Sequence, residues 1–253
     1  MGVPHAPTLL DAPSRRLSRA PPCSVTLPTE ASLPWGAGLS ASGAPGRPGP
    51  GRVARHGQIE IRECTLSVAG LVLAAGGGRR FGGPKALVRH EGSLLVERAV
   101  ATARAGGCAP IVVVLGAGAA EVRAQAQLGD VMIVENEGWK AGMGSSLRAG
   151  LDALAATDAD AAVVLLVDTP GVTAEAVRRV AEKSGRDALA AATYGGRRGH
   201  PVLLGRDHWS GVALLATADI GARAYLSARA NEVHMVPCDD IADDTDIDVP
   251  EQS

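Results

Sequence analysis

From about residue 68 onward, short aliphatic runs alternate with longer Ala-rich stretches whose apolar positions recur at helical spacing. The runs at 69–73, 111–115, 131–134, 162–167, 189–193, 202–204 and 233–236 predict strands. The stretches at 94–105, 119–127, 145–155, 173–183 and 220–230 predict helices. Ser93 and Thr173 stand where N-caps are expected, and Gly106 stands just past a helix end. Unbroken aliphatic strands have both faces buried, which is the mark of a parallel sheet covered by helices. Strands and helices in alternation imply βαβ units. The expected fold is therefore α/β, Rossmann-like and three-layered, with a mostly parallel sheet.

Before that point the pattern is different. Residues 1–67 are rich in Pro, Gly, Ser and Arg and nearly lack aliphatic periodicity, and the run from Gly43 to Gly51 (GAPGRPGPG) suits neither helix nor strand. So little apolar surface does not offset chain entropy, and a disordered extension is expected, with the domain occupying 68–253. An Arg-bearing, acid-poor segment resembles a transit peptide. The prolines beside Cys23 and the lack of an amphipathic run argue against it. The preferred reading is a start codon assigned too far upstream, with the protein proper beginning near Val53 or Val68.

Composition narrows the classes. The 253 residues are 46% hydrophobic but only 2% aromatic, so the core must be built from Ala, Val and Leu. A net charge of -2 gives no basic face for nucleic acid. No run approaches the roughly 20 apolar residues of a membrane span. Cys23, Cys64, Cys108 and Cys238 form no CxxC pair, so they read as reduced thiols in a cytoplasmic protein.

Ligands on such sheets sit beyond the carboxyl ends of the strands. The first strand runs straight into Ala74-Ala75-Gly76-Gly77-Gly78-Arg79-Arg80-Phe81-Gly82-Gly83-Pro84-Lys85. Glycines let backbone N–H groups approach phosphate oxygens, and Arg79, Arg80 and Lys85 add positive charge. The segment is not a Walker A loop, because no Ser or Thr follows Lys85, and it is not GxGxxG, because Phe81 takes the third glycine position. Its bland alternative is a flexible turn with solvated arginines.

Four further segments carry candidate chemistry. Asp168-Thr169-Pro170 follows the aliphatic run 162–167, where a carboxylate can meet Mg²⁺ and a turn residue is equally natural. Ser145 and Ser146 open a helix, either capping it or offering N–H groups to an anion. Gly199-His200-Pro201 opens a strand, and the lone histidine is either functional or structural. The acidic run 239–251 reads by itself as a solvated tail. Gly116-Ala117-Gly118-Ala119-Ala120-Glu121 imitates a dinucleotide fingerprint, but Glu121 replaces the last glycine, and an ordinary strand-to-helix turn is expected.

The run LAAGGGRRFGGPK resembles the LAAGxSxRMGxxK signature of MobA-like nucleotidyltransferases: Leu73, Ala74, Ala75, Gly76, Arg80, Gly82 and Lys85 match. Gly78 stands where Ser is usual and Phe81 where Met is usual. The resemblance implies a nucleotidyltransferase fold whose loop, Gly77 and Gly78 included, holds the triphosphate, with Arg80 and Lys85 stabilising charge on the transferring phosphorus. It also implies Mg²⁺ on Asp168 of an Asp-x-Pro motif. Ala75, the Gly-x-x-x-Ser segment with Ser145 and Ser146, Gly199-His200-Pro201 and the DIDVPE sequence 246–251 are similar to the molybdenum cofactor cytidylyltransferase branch. That likeness implies CTP as donor and a molybdopterin-type acceptor. It sets the serines near base and acceptor, Gly199-His200-Pro201 on the acceptor side, and Asp248 as a second metal contact. A molybdoenzyme or its maturation factor is the further partner implied. Three rival expectations are another phosphate acceptor, such as a sugar phosphate, an NAD(P)H-dependent enzyme resembling nicotine blue oxidoreductase on the same fold, and a non-catalytic accessory protein for molybdoenzyme maturation, against which intact Lys85 and Asp168 argue.

Overall fold

The computed structural model describes residues 66–78 and 82–247, all within the unit Glu60–Ser253. Expectations about residues 1–65, and about Arg80 and Asp248, lie outside the described residues.

Nine strands are present among the described residues. β1 (Val68–Ala74), β4 (Ile111–Leu115), β5 (Met132–Glu135), β6 (Ala161–Leu166), β7 (Leu189–Tyr194), β8 (Arg197–Gly205) and β9 (Val233–Pro237) form one seven-stranded sheet in the order β5-β4-β1-β6-β8-β7-β9. β2 (Arg89–His90) and β3 (Ser93–Leu94) make a separate small hairpin. β1 pairs in parallel with β4 on one side and β6 on the other. Only β8 runs against its neighbours, antiparallel to both β6 and β7. The mostly parallel α/β sheet expected from the sequence is thus present.

The β8 reversal has a local cause. Gly195 and Gly196 have φ of 56° and 73° and connect Tyr194 to its partner Arg197 in a two-residue hairpin. Such turns require positive φ at both central positions.

Alternate residues of the central strands feed opposite cores. Val72 and Ala74 pack toward α1 (Leu95–Ala105) and α4 (Ala174–Ala181), through Val96, Val100 and Val177. Leu71 and Leu73 pack toward α3 (Met143–Ala155) and α5 (Trp209–Leu215), through Leu147, Leu151 and Val212. Two helical layers therefore cover the sheet, and Leu and Val are the largest fully buried side chains. α2 (Ala119–Gln125) and α6 (Arg223–Ala228) complete the set.

Several boundaries differ from expectation. Thr173 caps α4, its Oγ1 accepting from the Ala176 N–H at 3.2 Å. Ser93 is instead part of β3, and the Leu94 N–H is met by the Glu97 carboxylate at 3.0 Å. Gly106 keeps right-handed dihedrals, and Gly107 takes the left-handed position with φ of 89°. The helix expected at 220–230 is broken at Gly221, whose φ is 55°, into a 3-10 turn and α6.

Gly150 in α3 sits against Leu71 of β1, and an added Cβ there would overlap the Leu71 methyl groups. Leu71 is fully buried, so the strain has no exit. Gly150→Val is expected to lower stability by about 1–3 kcal/mol, read from urea midpoints. An unchanged midpoint would mean that α3 can lift from β1 freely.

Candidate active site

β1 and β6 are adjacent and parallel, so their carboxyl ends open on the same edge of the sheet. The Val167 N–H donates to Leu73 O at 3.3 Å and continues that pairing by one residue. The glycine loop leaves β1 and Asp168 follows β6, so loop and carboxylate face one another. Lys85, in a 3-10 turn after Pro84, closes the gap: its Nζ donates to Asp168 Oδ2 at 2.9 Å. The two side chains are 16% and 25% exposed, so the pair is screened less than a surface ion pair.

These groups border a cavity of about 560 Å³. Leu73, Ala75, Gly76 and Gly77 line one wall and Lys85 and Asp168 another. Ala74 is buried behind the loop on the α1 side. The three glycines have separate duties. A Cβ on Gly76 would meet nothing within 4 Å, so this backbone faces open space. A Cβ on Gly77 would stand 2.8 Å from the Trp139 ring. Gly78 has φ of 52° and accepts from the Gly82 N–H at 3.0 Å, which closes the loop. Gly78 and Gly82 shape the loop rather than line the cavity.

The Gly116–Glu121 segment is a strand-to-helix turn, as expected. A Cβ on Gly116 would lie 2.6 Å from Trp139, and the Ala117 N–H donates to Ala75 O at 3.2 Å, so the turn buttresses the glycine loop.

Ser146 lines the cavity and Ser145 does not. Neither is the helix cap: α3 begins at Met143 after Gly142, whose φ is 100°. The Ser145 N–H donates to Gly142 O at 3.1 Å. Asn136, directly after β5, donates to Ser145 Oγ at 2.8 Å and to Ser146 Oγ at 3.0 Å. Asn136 and Trp139 escaped the sequence reading. The rule that ligand residues follow strands would have drawn attention to Asn136. Asp219 also escaped it; its carboxylate accepts from the Met143 N–H at 3.3 Å and borders the cavity, and only tertiary packing brings it there.

Gly199 and His200 line a second chamber next to the first, whereas Pro201 is buried in β8. The Gly199 backbone lies against the Asp244 carboxylate, where a Cβ would collide with it. The acidic run is docked, not a solvated tail, as far as it is described. Arg179 grips Asp240 through two contacts of 2.8 and 3.1 Å, the Asp243 N–H donates to Gly171 O at 3.1 Å, and the Ile247 N–H donates to Asp168 O at 2.9 Å.

Residues 70–233 match the MobA-like NTP transferase domain, and the chain belongs to that family. Nicotine blue oxidoreductase of Paenarthrobacter nicotinovorans is 41% identical over 195 residues, covering 73% of this chain and 94% of that protein. Molybdenum cofactor guanylyltransferase of Rhodobacter capsulatus is 33% identical over 147 residues, covering 57% of this chain and 67% of that one. Among solved structures, the manganese complex of Rv0371C from Mycobacterium tuberculosis H37Rv superimposes with a TM-score of 0.59 at 26% identity, covering 73% and 91% of the two chains.

The ring of His200 is part-buried, with Nδ1 3.5 Å from Val164 O. Burial holds its pKa below the ordinary 6.5, although Val164 O, Asp168 and Asp244 pull it upward and Arg223 adds to the lowering. The ring is therefore neutral at pH 7. As pH falls below 6.5, the unfolded chain takes up a proton that the folded ring resists, so stability present above that pH is lost on acidification. His200→Gln should show a shallower loss of urea midpoint between pH 7 and about pH 5 than the parent protein. Equal slopes would mean that the folded protein accepts charge on this ring without penalty.

Proposed function

We propose that the protein transfers a nucleotidyl group, CMP from CTP, to a molybdopterin-type cofactor and releases pyrophosphate. The observation that carries this reading is the Lys85–Asp168 pair, 2.9 Å apart, lining the same cavity as the uncrowded backbone of Gly76. A cation, a carboxylate and a glycine loop at the carboxyl end of a parallel sheet suit a triphosphate better than an uncharged substrate.

In this reading the loop from Ala75 through Gly78 holds the triphosphate. Lys85 and Arg80 offset charge gathering on the α-phosphorus. An oxygen of the acceptor's phosphate attacks that phosphorus in line, a new P–O bond forms, the bond to the β-phosphate oxygen breaks, and pyrophosphate leaves with the electron pair. Positioning and charge neutralisation supply most of the rate gain. Asn136 holds Ser146 at the wall where base and acceptor would meet.

A divalent cation fits this donor set. Among the described residues no group of three or more His, Cys, Asp or Glu forms a cage of its own. Mg²⁺ characteristically takes one or two carboxylates and completes its shell with water and substrate phosphates. Asp168 and Asp248 would hold it, and the docking of Ile247 on Asp168 favours Asp248 as the partner. When bound, it would polarise the phosphate oxygens. The structure solved with manganese belongs to a relative 26% identical.

A second reading, NAD(P)H-dependent reduction of a heterocyclic substrate, is favoured by the 41% identity to nicotine blue oxidoreductase. One assay separates the two. Purified protein with Mg²⁺ and each nucleoside triphosphate, with and without molybdopterin cofactor, is expected to release pyrophosphate only with CTP plus cofactor. Asp168→Ala and Lys85→Ala should each lower the turnover by roughly 10²–10³-fold, the range for losing one preorganised charged group at a reacting centre. No release with any triphosphate, together with NADPH oxidation, would overturn the reading in favour of the second.

A further inference from the structure

Beside the glycine-loop cavity lies a second chamber of about 280 Å³. Leu73, Met143, Leu166 and Asp219 border both, so the two spaces share a wall. The remaining apolar lining of the second includes Leu147, Val164 and Leu226. Its polar lining is unlike that of the first: three guanidinium groups stand around it, Arg197 and Arg198 just past the Gly195-Gly196 turn and Arg223 at the start of α6.

The charges there do not cancel. Asp219 and Asp244 are the carboxylates of the same lining, and Asp219 already accepts from the Met143 N–H. Arg198 donates only to a neutral hydroxyl, Ser227 Oγ, at 3.0 Å. Among the described residues Arg223 makes no ion pair or hydrogen bond and is exposed. Two other described arginines show the contrast. Arg206 spends its guanidinium on the carbonyls of Thr157, Ala159 and Ala155, and Arg179 on Asp240. Guanidinium groups with unspent donors over an apolar floor are suited to a planar or ring-bearing anion, since each offers a fork of donors and a stacking face.

We propose that this chamber holds the body of the acceptor, that the acceptor carries a second anionic group remote from its attacking phosphate, and that Arg198 and Arg223 bind that group. This inference rests on the nucleotidyl-transfer reading. The two spaces adjoin along Leu73, Met143, Leu166 and Asp219, so an acceptor reaching from one into the other would bring its phosphate toward Lys85 and Asp168 and leave its far end among the arginines. A sugar phosphate with no second anion offers these groups only neutral hydroxyls, which accept from a guanidinium more weakly than an anion does. The arginines would therefore select against that rival acceptor.

The test uses the full chain and the variants Arg198→Ala, Arg223→Ala and their double. Pyrophosphate release is measured with molybdopterin cofactor varied at saturating CTP, and with CTP varied at saturating cofactor. The double variant should raise the cofactor KM about tenfold or more, with kcat and the CTP KM within about twofold and an unchanged melting temperature. Arg223→Lys should recover part of the loss as a point charge. A cofactor KM within twofold of the parent, or a rise in the CTP KM instead, overturns the inference and leaves nucleotidyl transfer standing. Absence of pyrophosphate release by the parent protein overturns nucleotidyl transfer. The inference is then read from ultrafiltration, where retention of the cofactor by the parent and its loss in the double variant support it. Equal retention, or none by the parent, removes it.

Discussion

The parallel pairing of β1 with β6 is the constraint on which the site depends. Six register pairs, from Val68 with Ala161 to Leu73 with Leu166, bring both carboxyl ends to the same edge. Packing specifies that register. Leu71 and Leu73 belong to the α3 core, Val72 and Ala74 to the α1 core, and a slip by one residue would send each set to the wrong face. Because both faces of β1 are buried, a slip would force both cores to repack. The carboxyl ends of β1 and β6 are therefore held side by side by the two cores, well away from the charges themselves.

Glycine conformations in the loop illustrate how packing and chemistry divide a short sequence between them. Gly77 and Gly116 are small because Trp139 lies across both, and Gly78 is glycine because its φ is positive. These demands would exist in the absence of any ligand. Gly76 is different: nothing in the protein crowds it, so its lack of a side chain keeps clear a space the protein itself does not fill. Trp139, half-buried in a chain nearly devoid of aromatics, is what holds the loop and the second βα turn in one surface.

Much of this was legible in the sequence because buried strands read as continuous aliphatic runs and their ends mark the ligand edge. The glycine loop and Asp168 stand where that rule points, and the resemblance to MobA-like nucleotidyltransferases is what separated them, and Lys85, from ordinary turn residues. The direction of β8 was not read, although the Gly195-Gly196 pair is a strong hairpin signal; the aliphatic part of β8 begins several residues later, so the turn and the strand looked unconnected. α5 was missed because seven residues with Gly211 inside give too short a periodic stretch. Asn136 acts through two serines, Asp219 reaches the cavity from a 3-10 turn, and Arg223 from a helix far along the chain. Asn136 directly follows β5, where the strand-end rule points, whereas Asp219 and Arg223 have no local pattern, because their proximity is created by the packing of α3 against α5 and the turn at Ala218. The docking of the acidic run is likewise a tertiary fact: its charge predicts solvation, and the backbone bonds to Gly171 and Asp168 override it.

Fold alone does not choose between nucleotidyl transfer and the rival hydride transfer, since the relatives of this chain include both a guanylyltransferase and an oxidoreductase. The charges argue more sharply. Hydride transfer requires a nicotinamide ring held against the substrate, a demand of stacking and positioning rather than of concentrated charge. Phosphoryl chemistry, by contrast, concentrates negative charge at one phosphorus and gains most from fixed cations and a carboxylate that can share a metal. A dinucleotide could rest its pyrophosphate on the same glycine loop, and then Lys85 would serve binding alone. The two cases differ in where the loss appears. Replacing Lys85 would weaken binding of a dinucleotide while leaving its turnover intact, but would slow a nucleotidyl transfer even at saturating substrate, because only there does the charge on phosphorus grow as the reaction proceeds.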